Sequence, residues 1–220
     1  MQNIATNRGK TAHRKGLENM TEDVKKIAEE LVIAAKRAYT RGIQTGSGGN
    51  VSARVPGKDL MIVKASGGSF ADCAPDKFVI TDFDGNLVEG EGKPTREALL
   101  HGLLYRICPE VNAVVHTHSP YSIAWASTEK PLPRTTWHSK LKICADIPTL
   151  NVPAAMVKPE YFSMVEEIYK ENPDLPAFLL VDHGLVAVGK DAINAEHNAE
   201  LIEETAQVAI LKAAVSKLGL

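Results

Sequence analysis

Four short apolar stretches follow one another at residues 51–55, 60–63, 78–81 and 87–88, and no segment joining them carries a helical apolar period. Parallel neighbours need a crossover of a dozen or more residues, usually a helix, whereas antiparallel neighbours need only a turn. The joining segments are turn-like: residues 64–69 are small and hydroxyl-rich, and Asp84-Gly85 is a hairpin signature. This part of the chain predicts an antiparallel or mixed sheet and argues against a doubly wound parallel one.

Helical patterns flank it. Residues 21–44 repeat Val24, Ile27, Ala28, Leu31, Val32 and Ala35 on one face, with Thr21 as N-cap and Lys36, Arg37 and Arg41 read as a solvated basic face. Residues 97–107 bury Leu99, Leu100, Leu103, Leu104 and Ile107, with Thr95 as N-cap. Ser119 and Pro120 open a short helix to Ala126, residues 160–169 form another, and residues 192–218 form a long closing one. Further strands are expected at 112–118, 147–152, 177–181 and 185–188, while 135–141, with Trp137 and His138, has no clear assignment. The 220 residues fit one large domain or two small ones. With no linker or repeat in view, the expectation is a flexible polar leader, 1–20, and a single α/β domain, 21–220, around a mostly antiparallel sheet.

The strand at 112–118 ends in Val115-His116-Thr117-His118-Ser119-Pro120. Side chains two apart in a strand share a face, so His116 and His118 can offer a nitrogen each to one divalent ion at a strand end near the surface. A catalytic zinc usually takes three protein ligands, so a third must come from elsewhere. His183, between two apolar strands and followed by Gly184, is the candidate. His13 and His197 do not belong with the pair, and His101, one turn after Glu97, is open between core, support and ligand. Gly46, Gly48 and Gly49, among Thr45, Ser47 and Asn50, suit either an anion nest of backbone N–H groups or a plain turn.

A net charge of −2 gives no reason to expect nucleic acid or an anionic membrane as partner. No apolar run approaches the ~18 residues of a membrane span, and residues 1–20 lack the apolar core of a secretory signal. Three scattered cysteines without a CxxC pair suit a reducing cytoplasm and not a disulfide framework.

Five motifs, in order, are similar to those of the class II aldolase/adducin family: Gly48-Gly49-Asn50-Val51-Ser52, Ala65-Ser66-Gly67, Lys93-Pro94-Thr95-Arg96-Glu97, Ala113 to Pro120 around His116 and His118, and Asp182-His183-Gly184-Leu185. The resemblance spans about Thr21 to the C-terminus. It implies a three-layer α/β/α sandwich around an antiparallel sheet, zinc or another divalent ion (manganese, cobalt or iron) on His116, His118 and His183, and Glu97 as acid/base. It places a sugar phosphate among Asn50, Ser66, Gly67, Thr95 and Arg96, and implies a homotetramer with sites at subunit interfaces.

The implied reaction is aldol cleavage of a small ketose phosphate through a metal-stabilised enediolate. Glu97, where the epimerase branch has aspartate, favours aldolase over epimerase. Two departures qualify this. Thr95-Arg96 stands where the family's enzymes have two serines, and Arg96 either meets an extra carboxylate, as in a decarboxylase of a phosphorylated sugar acid, or points to solvent. Trp137 falls where the fuculose-phosphate enzyme places a neighbouring subunit's tyrosine, leaving His138 as the possible acid/base there. A non-catalytic, adducin-like module is the reading from another class, and the presence of all three histidines with Glu97 counts against it.

Overall fold

The computed structural model describes residues 22–219. The leader and the Thr21 cap expected from the sequence lie outside the described residues. Eight strands form one sheet in the order β4-β3-β2-β1-β5-β8-β7-β6. They are β1 (Asn50–Arg54), β2 (Leu60–Lys64), β3 (Phe78–Asp82), β4 (Leu87–Glu89), β5 (Ala113–Thr117), β6 (Thr149–Leu150), β7 (Ala177–Leu180) and β8 (Gly184–Gly189). Every pairing is antiparallel except β6 with β7, as the turn-joined strands predict.

The described residues contain six α-helices: α1 (Glu22–Thr40), α2 (Ala98–Ile107), α3 (Pro120–Ala126), α4 (Trp137–Lys142), α5 (Phe162–Glu171) and α6 (Ala192–Lys217). Side chains alternate across the strands, so β5 sends Val115 to one core and Val114 to the other, and β8 divides Leu185 and Ala187 from Val186 and Val188 in the same way. Leu31 and Ala35 of α1, Ala126 of α3, and Ala195, Ala199 and Ile202 of α6 close the first core. Leu100 and Leu104 of α2 and Val165 and Tyr169 of α5 close the second. This is the three-layer α/β/α arrangement.

Several boundaries differ from the sequence reading for local reasons. The first helix stops at Thr40 and not at Gln44, because Gly42 turns the backbone to φ 75° and the Ile43 N–H closes back on the Ala38 carbonyl at 3.1 Å. Glu97, not Thr95, occupies the N-cap position of α2, with no side-chain capping bond. Ser119 occupies the N-cap position of α3, with Pro120 after it, but its side chain makes no capping bond; its hydroxyl donates to the Ile43 carbonyl at 2.9 Å. The buried Glu203 carboxylate of α6 does that work, accepting the Tyr121 and Ser122 N–H groups at 2.8 Å each. The unassigned 135–141 stretch is α4, opened by a capping box between Thr136 and Ser139. The basic face of α1 is not wholly solvated: the Arg37 Nε lies 3.0 Å from the fully buried Glu196 carboxylate.

Candidate metal centre and active site

The antiparallel order brings three chain segments to one end of the sheet. In register, Asn50 at the start of β1 lies opposite His116 on β5, and Thr117 lies opposite Leu185 near the start of β8. The turn into β8 carries His183, with Asp182 at φ 53°, a left-handed conformation that aspartate tolerates better than most residues. The start of α2 brings Glu97 to the same end.

The three imidazoles converge. Ring centroids are 5.0 Å apart for His116 and His118, 4.7 Å for His116 and His183, and 5.3 Å for His118 and His183. One nitrogen of each lies within 4.8 Å of the others. His116 is fully buried, which corrects the expectation of a ligand near the surface, and its Nδ1 lies 2.9 Å from the Leu185 carbonyl. A carbonyl only accepts, so Nδ1 carries the proton and Nε2 presents a lone pair. That Nε2 has no hydrogen-bond partner and faces Glu97 Oε2 at 3.2 Å. Glu97 Oε1, also buried and unpartnered, lies 3.9 Å from His183 Nε2. Two lone-pair acceptors facing each other away from water call for a cation or a proton between them. Three imidazoles and a carboxylate are a donor set that suits zinc and its neighbours.

The electrostatics point the same way. Burial lowers the affinity of His116 and His118 for a proton, and burial together with the neighbouring His116 brings His183 down to about 4. Neutral imidazoles are the form that binds metal. Burial pushes the Glu97 carboxyl up, but His116, His183 and the Asn50 amide, donating at 3.0 Å, outweigh it and hold it below its usual range. His101 is core and support, not part of the converging set: it is fully buried, pushed down to about 3 by burial, with Nδ1 2.6 Å from the Ser52 hydroxyl.

Both His183 and His101 are held neutral below the ordinary histidine value of 6.5. Between that value and about 4 and about 3, respectively, the unfolded chain binds protons that the folded chain refuses. The metal-free protein is therefore expected to lose stability as pH falls from 6.5 toward 4, and a melting temperature unchanged between pH 7 and pH 5 would contradict this.

Asn50, Ser66, Gly67, Thr95, Arg96 and Glu97 line a single pocket with His118 and His183. The Ser66 N–H donates to the Lys93 carbonyl at 2.8 Å and Ala65 bridges Pro94, which holds the 66–67 turn beside Thr95 and Arg96. Arg96 is exposed at the rim and makes no hydrogen bond or ion pair among the described residues. His138 does not line this pocket; on α4 it lies 3.6 Å from Glu204. Sequence reasoning missed Lys64. It ends β2, is 3 % exposed, donates to the Ala65 carbonyl at 3.1 Å and lines the same pocket. Burial lowers its pKa, with Cys73 opposing. A lysine closing an apolar strand just before Ala65-Ser66-Gly67 was the available clue.

The mostly antiparallel α/β/α sandwich thus brings together, at one sheet end, three histidines that could hold a metal ion, and a carboxylate. Residues 29–210 match the family described as Class II Aldolase and Adducin N-terminal domain. The chain is 32% identical over 194 residues to L-ribulose-5-phosphate 4-epimerase UlaF of Salmonella paratyphi B, covering 84% of this chain and 85% of that one. Among solved structures it is similar to an L-fuculose 1-phosphate aldolase, with a TM-score of 0.77, 26% identity and 89% of each chain covered. It is also similar to YgbL of Escherichia coli, whose description leaves aldolase, epimerase and decarboxylase open, with a TM-score of 0.73, 27% identity and coverage of 86% and 90%. The chain belongs to the class II aldolase and adducin family. No helix among the described residues is long and apolar enough to cross a membrane.

Proposed function

We propose that this protein is a metal-dependent lyase that cleaves a small ketose phosphate, an aldolase, with His116, His118 and His183 as metal ligands and Glu97 as acid/base. The observation that carries this is the buried group of acceptors at the three histidines, with His116 Nε2 unpartnered and 3.2 Å from Glu97 Oε2, and Glu97 Oε1 unpartnered and 3.9 Å from His183 Nε2, beside a pocket with polar donors. Zinc fits the donors, as do manganese, cobalt and iron. Held by His116, His118 and His183, such an ion would supply Lewis-acid stabilisation of the negative charge left when the carbon–carbon bond breaks.

The chain's own residues do the rest. Lys64, the hydroxyls of Ser66 and Thr95, the Gly67 backbone and the Asn50 amide are the donors available to a phosphate, whose binding energy fixes the reacting end. Glu97, held ionised, takes or returns the proton at the carbon beside the carbonyl. Trp137 and Leu141, one turn apart on α4, are 80% and 81% exposed. That supports a homotetramer in which α4 and His138 reach a neighbouring site. The reading includes a cytoplasmic location.

Two observations favour second readings. Arg96, at the pocket rim without a partner among the described residues, suits the carboxylate of a phosphorylated sugar acid and hence decarboxylation. Likeness to UlaF suits epimerisation. Product analysis with the metal-loaded protein and a panel of ketose phosphates tests the proposal: release of an aldehyde is expected. An epimer without aldehyde, or carbon dioxide from a phosphorylated acid only, would replace it.

A further inference from the structure

We propose that Gln44 is a positioning residue that locks the His118 turn and the Gly-rich loop at residues 45–50 to one another, coupling the metal side of the site to its anion side. The inference rests on the metal and phosphate readings above.

His118 lies past the end of β5 at Thr117, so no ladder bond of that strand fixes it. Its backbone N–H goes instead to Gln44 Oε1 at 2.8 Å. The other arm of the same amide, Nε2, donates to the Thr45 carbonyl at 2.6 Å. Gln44 is 1% exposed. A buried primary amide is costly unless its groups are paired; here the Thr45 bond fixes the side chain against the first residue of its own Gly-rich loop, and the His118 bond ties that loop to a turn 74 positions away. The residue before it adds a parallel tie, the Ile43 carbonyl accepting the Ser119 hydroxyl at 2.9 Å.

The glycine run makes room for this clamp. A Cβ at Gly49 would sit 2.5 Å from Gln44 Oε1 and 2.8 Å from the His116 carbonyl oxygen, and one at Gly48 would sit 3.0 Å from Gln44 Nε2 and 2.6 Å from His118 Nδ1. Only a loop without side chains there passes over the Gln44 amide and against the His118 ring. These glycines are therefore needed for packing against the metal site, whatever the loop's N–H groups bind.

The two arms separate by substitution. Gln44→Ala removes both, while Gln44→Glu keeps an acceptor for the His118 N–H and has no donor for the Thr45 carbonyl. The experiment titrates metal-free wild type and both variants with Co²⁺, following the ligand-field absorption, and with inorganic phosphate by calorimetry. Gln44→Ala should weaken Co²⁺ binding by about tenfold or more, the scale seen when outer-shell partners of a ligand are lost, and change the shape of the absorption band. Gln44→Glu should hold Co²⁺ near wild-type affinity and lose phosphate affinity. Wild-type Co²⁺ affinity and spectrum in Gln44→Ala would overturn the role of Gln44 alone. If Gln44→Ala does not fold, Gln44→Glu decides: loss of Co²⁺ binding, or unchanged phosphate binding, overturns the two-arm assignment. A wild type that takes up no Co²⁺ removes the metal reading and this inference with it.

Discussion

Replacing Glu97 with glutamine should lower turnover by about 10²–10⁴-fold, the usual contribution of a positioned acid/base, while leaving the divalent ion bound. The substitution is close to isosteric. Glutamine still offers an oxygen to the Asn50 Nδ2, now 3.0 Å from Glu97 Oε2, so the side chain keeps its place and loses its proton-transfer capacity. Steady-state kinetics and metal content of the same preparation check it. Unchanged turnover would remove Glu97 from the chemistry. Loss of the ion would make the carboxylate a required ligand, consistent with its 3.2 Å approach to His116 Nε2.

The second large effect is expected from His116→Ala, which should bring activity to background. A Lewis acid supplies several kcal/mol of transition-state stabilisation, and ~4 kcal/mol is already about 10³-fold in rate. The burial of His116 changes what else to expect. The Leu185 carbonyl loses its donor at a site without solvent, at a cost of about 1–3 kcal/mol. The variant should melt earlier than wild type yet remain folded, since the total stability of such domains is about 5–15 kcal/mol. Circular dichroism and thermal melts separate the two effects. An active variant would take His116 out of the site, and an unfolded one would make its main role structural.

Much of this was legible in the sequence because it depends on local pattern. The turn-joined strands between Val51 and Val88 dictate antiparallel pairing, and His116 and His118 are two apart. His183 was identifiable as an isolated histidine between apolar runs, but its distance from the pair is set by the β5–β8 register, which no local pattern contains. The residues that escaped are those whose roles arise across long sequence separations. Glu203 caps α3 from the closing helix, 81 and 82 positions away. Gln44 holds the His118 N–H across 74 positions. Lys64 looked like the start of a polar turn until β2 carried it into the sheet. Nothing local marks Arg37 as paired, because its partner, Glu196, sits on a helix that packs against α1 only in the folded chain.

The most direct test is the metal content of the gently purified full chain beside that of His116→Ala and His183→Ala, by elemental analysis. The expected result is about one divalent ion per wild-type chain, removed by chelator, restored by zinc or a similar ion, and lost in both variants. A folded wild type that neither carries nor takes up a divalent ion, or variants that hold it as tightly, would contradict a metal on His116, His118 and His183.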